Sequence, residues 1–289
     1  MLIDEVIVIG TGRLACSCLG AVLARTKAVE CFEPEESSFS NLRSMCAKNG
    51  VAYLCCTDRR ILEAELSRRT APTLVVSAYN SYIFPDRVLA NPLLRIVNFH
   101  NSILPRHRGR NAPSWSIFEM DRTAGVTWHQ VGAEIDRGVI IAQREFLLPG
   151  DITGINLTQT TLAVGAQVFE EVIESLLSGD YATHPPDRLD GETFHLSKDI
   201  PNDGLLDLKW SFDKAFAFLR ALDYGKLKVF PTPRVIVLGQ QLLIVGYSFA
   251  RSTDIRRPAL IVDTEKMAME ILWEGNVLSM SLGEKEETK

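Results

Sequence analysis

The sequence predicts a doubly wound α/β domain followed by a smaller β-rich domain of barrel or sandwich type. Two observations predict the first domain. Short, nearly all-apolar runs recur through the first hundred residues, and most are followed by a helical stretch. Runs of that kind fit strands buried on both faces of a parallel sheet, and strand–helix alternation fits a doubly wound fold. A third observation predicts the second domain: beyond residue 230, five short apolar runs follow one another with turn signals between them.

The elements read in order as follows. Glu5–Gly10 is a strand, and Leu14–Arg25, rich in Ala and Leu, is a helix. Val29–Phe32 is a second strand, Ser38–Asn49 a helix, Val51–Cys55 a third strand, and Arg60–Arg68 a helix. Thr73–Ala78 and Leu94–Phe99 are further strands. Gly125–Val131 and Gly138–Phe146 pair across the Gly132–Arg137 turn, and Leu162–Leu177 is a long helix. Tyr181–Pro201 carries three prolines and few periodic apolar positions, which reads as a linker. Ser211–Leu222 is a helix, and Arg234–Gly239, Gln241–Tyr247, Leu260–Thr264, Met269–Trp273 and Val277–Leu282 are short strands. The charged Glu284–Lys289 tail is expected to fray. The expected boundaries are 1–180 for the first domain, 181–205 for the linker and 206–285 for the second domain.

Composition excludes several classes. The chain has 289 residues, 46% hydrophobic and 23% charged, with a net charge of −5. That is a globular balance with no global pull toward nucleic acid or anionic lipid. The acidic start and the short apolar run ending at Gly10 match neither a signal peptide nor a membrane span, so a cytoplasmic location is expected. Six cysteines show no Cys-x-x-Cys spacing, and the five histidines do not cluster with them. We expect free thiols, no disulfides and no metal.

Asn98 and His100 carry the strongest chemical signal. They are two apart at the end of an apolar strand, so they face the same way. Asp136 follows in a turn-like Asp-Arg-Gly. An imidazole can take and return a proton, an amide can donate to a developing oxyanion, and a carboxylate can fix the tautomer. A capped strand end with a satisfied histidine is the plainer reading of the same residues.

Other motifs are weaker. Gly10-Thr11-Gly12-Arg13-Leu14-Ala15 matches the G-x-G-x-x-A dinucleotide fingerprint, with Glu30 and Glu33 about twenty residues on. It equally fits a tight β–α turn without cofactor. Ser102–Pro113 is a stiff loop in which Arg106, Arg108 and Arg110 either hold an anion or face solvent. Ser77–Pro85 leaves the end of a strand, where ligands of open α/β sheets sit, and its Tyr79, Tyr82 and Phe84 line a flat pocket or belong to the core.

Asn98-Phe99-His100 with Ser102-Ile103-Leu104-Pro105, then Gly125-Val126-Thr127 and Glu134-Ile135-Asp136-Arg137-Gly138, resembles the folate-dependent formyltransferases. That family includes the glycinamide ribonucleotide, methionyl-tRNA and sugar enzymes. The resemblance covers residues 1–180 firmly and continues more weakly into the C-terminal region. It implies a Rossmann-like formyltransferase domain with a smaller OB-like barrel. It implies 10-formyltetrahydrofolate as formyl donor, no metal, and Asn98, His100 and Asp136 as catalytic residues. The donor would lie along Ser77, Tyr79, Tyr82, Phe84, Val131, Gly132 and Ile135. The acceptor would lie near Gly10, Gly12, Arg13, Ser102, Arg108, Arg110 and Trp115.

The acceptor is the open question. From residue 201 onward, seven lysines and five arginines face six aspartates and six glutamates, a balance of zero. That argues against transfer RNA, which needs a basic surface. Asn111-Ala112-Pro113-Ser114-Trp115, Thr127-Trp128-His129 and Arg220-Ala221-Leu222-Asp223-Tyr224-Gly225 look like the formyltransferases of nonribosomal peptide pathways. An amino acid or carrier-bound aminoacyl group is therefore the first expectation. Arg108-Gly109-Arg110 and Trp115 also resemble nucleotide-sugar formyltransferases, the alternative, with methionyl-tRNA third. An NAD-dependent oxidoreductase and a non-catalytic folate binder are the competing classes. No membrane partner is expected, and the oligomeric state is left open, a homodimer included.

Overall fold

The computed structural model describes residues 2–34, 40–186, 192–251, 259–273 and 275–284. The chain divides into two compact units that interleave along the sequence. The first comprises Met1–Ala112, Ala124–Phe146 and Thr158–His195; the second comprises Pro113–Thr123, Leu147–Leu157 and Leu196–Lys289.

The first unit is built on β1 (Glu5–Gly10), α1 (Gly12–Leu23), β2 (Val29–Glu33), α2 (Asn41–Asn49), β3 (Ala52–Cys55), α3 (Arg59–Ser67), β4 (Thr73–Ala78), α4 (Asp86–Leu89) and β5 (Leu94–His100). The chain continues through β6 (Arg108–Gly109), α5 (Ala112–Phe118), β7 (Thr123–Gln130), β8 (Ile140–Leu147), α6 (Gly154–Ser178) and β9 (Phe194–His195). The main sheet runs β3-β2-β1-β4-β5-β7-β8. Its first five strands are parallel and β7 is antiparallel to β5. This is the Rossmann-like order, reversing direction between β1 and β4, where ligands of such sheets bind.

Alternation along each strand feeds two separate cores, which is why the runs read as wholly apolar. Val6 and Val8 of β1 join Leu74, Val76, Val97, Phe99 and Trp128 on one face. Ile7 and Ile9 join Val75, Ile96, Tyr82 and Phe84 on the other. Two residues on from Ile96 stands Asn98, and two further His100, so the polar pair continues the second face as the apolar face ends.

The first face closes on α6. The Trp128 indole Nε1–H donates to the Gly165 carbonyl (2.9 Å), and its ring packs against Phe99 and Phe169. A Cβ on Gly165 would lie 2.2 Å from the Phe99 ring. Gly→Ala inside a helix ordinarily gains up to ~1 kcal/mol. Here we expect Gly165→Ala to lower stability by about 1–3 kcal/mol through overpacking. Urea unfolding reads the sign directly.

Several expected boundaries are corrected. α6 begins at Gly154, eight residues before the expected Leu162; its polar, β-branched first turns hide the helical period. α2 begins at Asn41, after Ser40, whose hydroxyl accepts from the Arg43 amide (3.0 Å); residues 38–39 of the expected helix lie outside the described residues. The segment expected as linker is not one throughout: His184 bridges Ile140, and β9 pairs in parallel with β6. Residues 187–191 of it, and 285–289 of the tail, lie outside the described residues.

The six cysteines are free thiols, four of them buried in the core. Burial pushes the Cys56 thiol up to about 11. Among the described residues no helix is long and apolar enough to cross a membrane. No group of three or more His, Cys, Asp and Glu among them could hold a metal.

The second unit contains β10 (Leu205–Leu206), α7 (Phe212–Leu222), β11 (Arg234–Val237), β12 (Gln240–Arg251), β13 (Ala259–Asp263), β14 (Ala268–Trp273) and β15 (Asn276–Gly283). These strands form a six-stranded sheet in the order β10-β11-β12-β15-β14-β13, the expected β-rich region. The Ser211 hydroxyl caps α7 by accepting from the Lys214 amide (3.3 Å). Phe212 and Phe216 of that helix pack on Phe249.

Candidate active site

Four side chains converge at the carboxyl end of β5. Asn98 and His100 share a face, and antiparallel pairing places His129 opposite Asn98 and Thr127 opposite His100. Asp136 comes from the turn after β7, with φ +53°, a conformation aspartate tolerates better than most residues. Its Oδ2 lies 3.5 Å from His100 Nδ1 and its Oδ1 3.5 Å from His129 Nε2. Its Oδ2 also accepts the Gly109 amide (2.8 Å). The three expected catalytic residues are thus brought together.

His129 was missing from the expected set. It becomes visible only once the β5–β7 register is known. The Thr-x-His alternation at 127–129 was its local signal.

A directed row of hydrogen bonds orients Asn98. The Asn80 amide Nδ2 donates to the Ile9 carbonyl (3.2 Å) and to Ser77 Oγ (2.9 Å). Ser77, which accepts from Asn80, donates to Asn98 Oδ1 (2.7 Å). Asn98 Nδ2 then donates to His129 Nε2 (3.1 Å), whose Nδ1–H donates to the Gln130 carbonyl (3.0 Å). The flip of the Asn98 amide follows from its partners. One of its two N–H hydrogens is held by His129, and the other has no partner among the described residues.

His100 is oriented by the backbone. A carbonyl only accepts, so the 2.8 Å contact from Nε2 to the His107 oxygen places a proton on Nε2. Nδ1 is therefore where a second proton enters, facing Asp136. Burial pushes the His100 pKa below its ordinary 6.5, against the opposing pull of the Asp136 charge. Burial alone would raise the Asp136 carboxyl. The imidazoles of His100 and His129 beside it and the Gly109 N–H favour the ionised form, outweigh burial and hold the group well below the carboxylate range. At neutral pH the pair is a neutral imidazole beside an ionised carboxylate.

The expected binding residues divide. Tyr79 is half-exposed with φ +58°, and Ile135 is exposed on the Asp136 turn. Val131 packs at the edge of the second core, and a Cβ on Gly132 would be in ordinary contact with the Gly138 Cα at 3.9 Å. Tyr82 and Phe84 are buried and stack edge to face (5.1 Å) within the core, and the Tyr82 amide donates back to the Asn80 side chain. Ser77 is buried and orients Asn98 rather than facing a ligand. Ser102 is also buried, and its hydroxyl donates to the Arg106 carbonyl, closing the loop (2.6 Å).

The arginines differ as well. Arg108 is engaged with Glu192 (2.8 Å), the Ile135 carbonyl (3.2 Å) and the Phe194 ring, so it is not a free anion clamp. Arg110 and Arg13 are exposed. Trp115 belongs to the second unit, where its ring meets Phe118 edge-on (6.0 Å).

The glycine turn has a structural explanation. A Cβ on Gly10 would lie 2.0 Å from the Ala78 carbonyl, and Gly12 has φ +63°. Neither acid expected for a ribose is available: Glu30 pairs with Arg69 (2.7 Å), and buried Glu33 accepts from Ser40 and from Tyr53 (2.6 Å). The oxidoreductase reading loses its acidic anchor.

An oriented amide N–H, a neutral imidazole and an ionised carboxylate thus meet at the carboxyl edge of an α/β sheet, groups of the kind that move protons and stabilise an oxyanion. Residues 39–173 match the model of a family described as Formyl transferase. This segment, a little under half of the chain, is a formyl transferase domain. The chain is 26% identical over 188 residues to a GDP-perosamine N-formyltransferase of Brucella melitensis, covering 65% of this chain and 71% of that one. It is 37% identical over 138 residues to the methionyl-tRNA formyltransferase of Roseiflexus castenholzii, 47% of this chain but only 42% of the relative. Its fold matches the crystal structure of an N-formyltransferase from Helicobacter canadensis in complex with folinic acid and dTDP-3-aminofucose. That match has a TM-score of 0.75, covers 98% of this chain and 100% of that one, and shows 16% identity.

Proposed function

We propose that this chain transfers a formyl group from 10-formyltetrahydrofolate to the primary amine of a nucleotide-linked amino sugar. The observation that carries the transfer reading is the pairing of neutral His100 with ionised Asp136 beside the oriented Asn98 amide. Bound 10-formyltetrahydrofolate would supply an electrophilic formyl carbon. The residues fit such a donor: Tyr79, Ile83 and Ile135 are exposed apolar side chains on the loops after β4 and β7, which flank β5.

The remaining chemistry belongs to the chain. The second N–H of Asn98 stabilises the charge that develops on the formyl oxygen. One proton leaves the attacking amine and one is returned to the departing nitrogen. His100 holds it in between at Nδ1, and Asp136 stabilises the imidazolium so formed. Ser77 and His129 keep the amide in register.

For the acceptor, the support is co-extension. The match to a sugar-modifying relative covers most of both chains, whereas the methionyl-tRNA match covers under half of each. This moves the nucleotide-linked sugar ahead of the amino acid or carrier-bound aminoacyl group. The test is a formyl-transfer screen over dTDP-, UDP- and GDP-amino sugars, free amino acids, carrier-bound aminoacyl groups and methionyl-tRNA. We expect one nucleotide sugar to exceed every amino acid in kcat/KM by at least ~10²-fold. Turnover confined to aminoacyl acceptors rejects the sugar. Donor binding without turnover on any amine rejects the enzyme reading.

A further inference from the structure

We propose that the segment Glu192-Thr193-Phe194-His195 is a positioning element of the active site, acting through Thr193 and His107 to set the tautomer of His100. This rests on the catalytic reading of His100 and Asp136. Two groups that hold that pair come from one short stretch: the His107 carbonyl accepts from His100 Nε2, and the Gly109 amide donates to Asp136. In an extended chain, the carbonyl of one residue and the amide two residues on point to the same edge. The residue between them, Arg108, faces the opposite edge, where its amide donates to the Thr193 carbonyl (3.0 Å). The Arg110 amide donates to the His195 carbonyl (2.8 Å) on the same edge. β6 is thus zipped onto β9 along one edge and holds the catalytic pair with the other.

The side chains of the segment act on the same stretch. His107 has φ +50°, a left-handed conformation uncommon for residues other than glycine. Contacts that hold it come from the segment. The His107 amide donates to Thr193 Oγ1 (3.3 Å), and its ring Nδ1 meets the same hydroxyl (3.3 Å). The His195 ring stacks on the His107 ring (5.7 Å, 24°) and reaches Thr193 Oγ1 through Nε2 (3.1 Å). Phe194 lies under the Arg108 guanidinium (5.2 Å). Glu192 ties Arg108 (2.8 Å) to Arg137 (2.7 Å), the residue after Asp136. A Cβ on Gly109 would lie 2.1 Å from the His195 carbonyl, so the close approach of β6 to β9 requires glycine there. Each of the four residues touches the strand or turn that holds the catalytic pair.

Without the Thr193 hydroxyl, the His107 peptide loses the contact that holds its left-handed turn. Its carbonyl then no longer fixes the Nε2–H tautomer, and Nδ1 stops being the single proton-accepting atom. Thr193→Val keeps shape and β-propensity while removing the hydroxyl; Thr193→Ser keeps the hydroxyl. We expect Thr193→Val to lower kcat about 10-fold with KM for both substrates within twofold, and Thr193→Ser to restore it. In ¹⁵N-histidine spectra, His100 should be the Nε2–H tautomer in the wild type and a mixture in Thr193→Val. Wild-type kcat and tautomer in Thr193→Val overturn the proposal, and so does an equal loss in Thr193→Ser, which would mark a purely steric role. The spectrum reads the proposal even if His100→Ala keeps full transfer activity, a result that would instead sink the catalytic reading.

Discussion

His100→Ala is expected to lower kcat for formyl transfer by about 10²–10⁴-fold while the protein still folds. The loss follows from the ring's place in the site. It is the buried base whose open nitrogen faces an ionised carboxylate. Folding survives because Asp136 keeps the Gly109 amide and His129 as partners. The pH dependence carries a sign. Burial holds His100 below 6.5, so the acidic limb of kcat/KM lies below that value. Asp136→Asn removes the charge that pulls this pKa upward, so the limb moves further toward acid as kcat falls. A limb moving toward neutral pH would contradict the assignment. The same shift acts on stability. An unfolded histidine takes up its proton near ~6.5, but folded His100 does so only at lower pH, so stability declines as pH falls through that interval. Asp136 contributes stability that is lost further down, from about 3.9 through its depressed folded value. In His100→Gln the first decline is absent and the second is smaller, because the imidazole that does most to lower the Asp136 pKa is gone, as urea midpoints across pH will show.

Gly138→Ala is the second large effect. A Cβ there would lie 1.6 Å from the Gln130 carbonyl and 3.4 Å from His129 Nδ1. The first obstacle is backbone, so no rotamer change relieves it. That carbonyl is also the acceptor that orients His129, which in turn orients Asn98. We expect a stability loss of about 1–3 kcal/mol from overpacking and a fall in kcat larger than that loss explains at 25 °C. Gly132→Ala, in the same turn, is the control. Its Cβ would meet only the Gly138 Cα at 3.9 Å, and near-wild-type stability and kcat are expected. Equal behaviour of the two variants would refute the steric account.

The parts of this architecture legible in sequence are those set by local rules. β1, β4 and β5 could be read because strands buried on both faces are apolar throughout. Asn98 and His100 could be paired because a strand repeats every two residues, and Asp136 because its turn ends in a glycine that the fold requires. What could not be read depends on partners far along the chain. His129 needs the β5–β7 register. Arg108 looked like a free cation until Glu192 came back beside it. Tyr82 and Phe84 looked like ring-binding residues because nothing local shows that their rings are buried in the core. Thr193 and His195 lie in a proline-bearing stretch whose composition speaks for a linker, yet its backbone is used by β6.

The row from Asn80 to Gln130 obeys something like the ice rules: each member gives a hydrogen to the next and receives one from the last. Ice can run either way, but this row cannot. Its last acceptor is a peptide oxygen, which has no hydrogen to send back, and the Ile9 oxygen pins the amide that starts it. With a singly protonated His129, only one arrangement of hydrogens is compatible with the heavy atoms. An aspartate at position 98 would match asparagine in shape yet would have no hydrogen for His129 Nε2. It would force that imidazole to carry two protons, adding a positive charge next to Asp136. The site therefore distinguishes nitrogen from oxygen at a single atom of Asn98, although the two are almost equal in size.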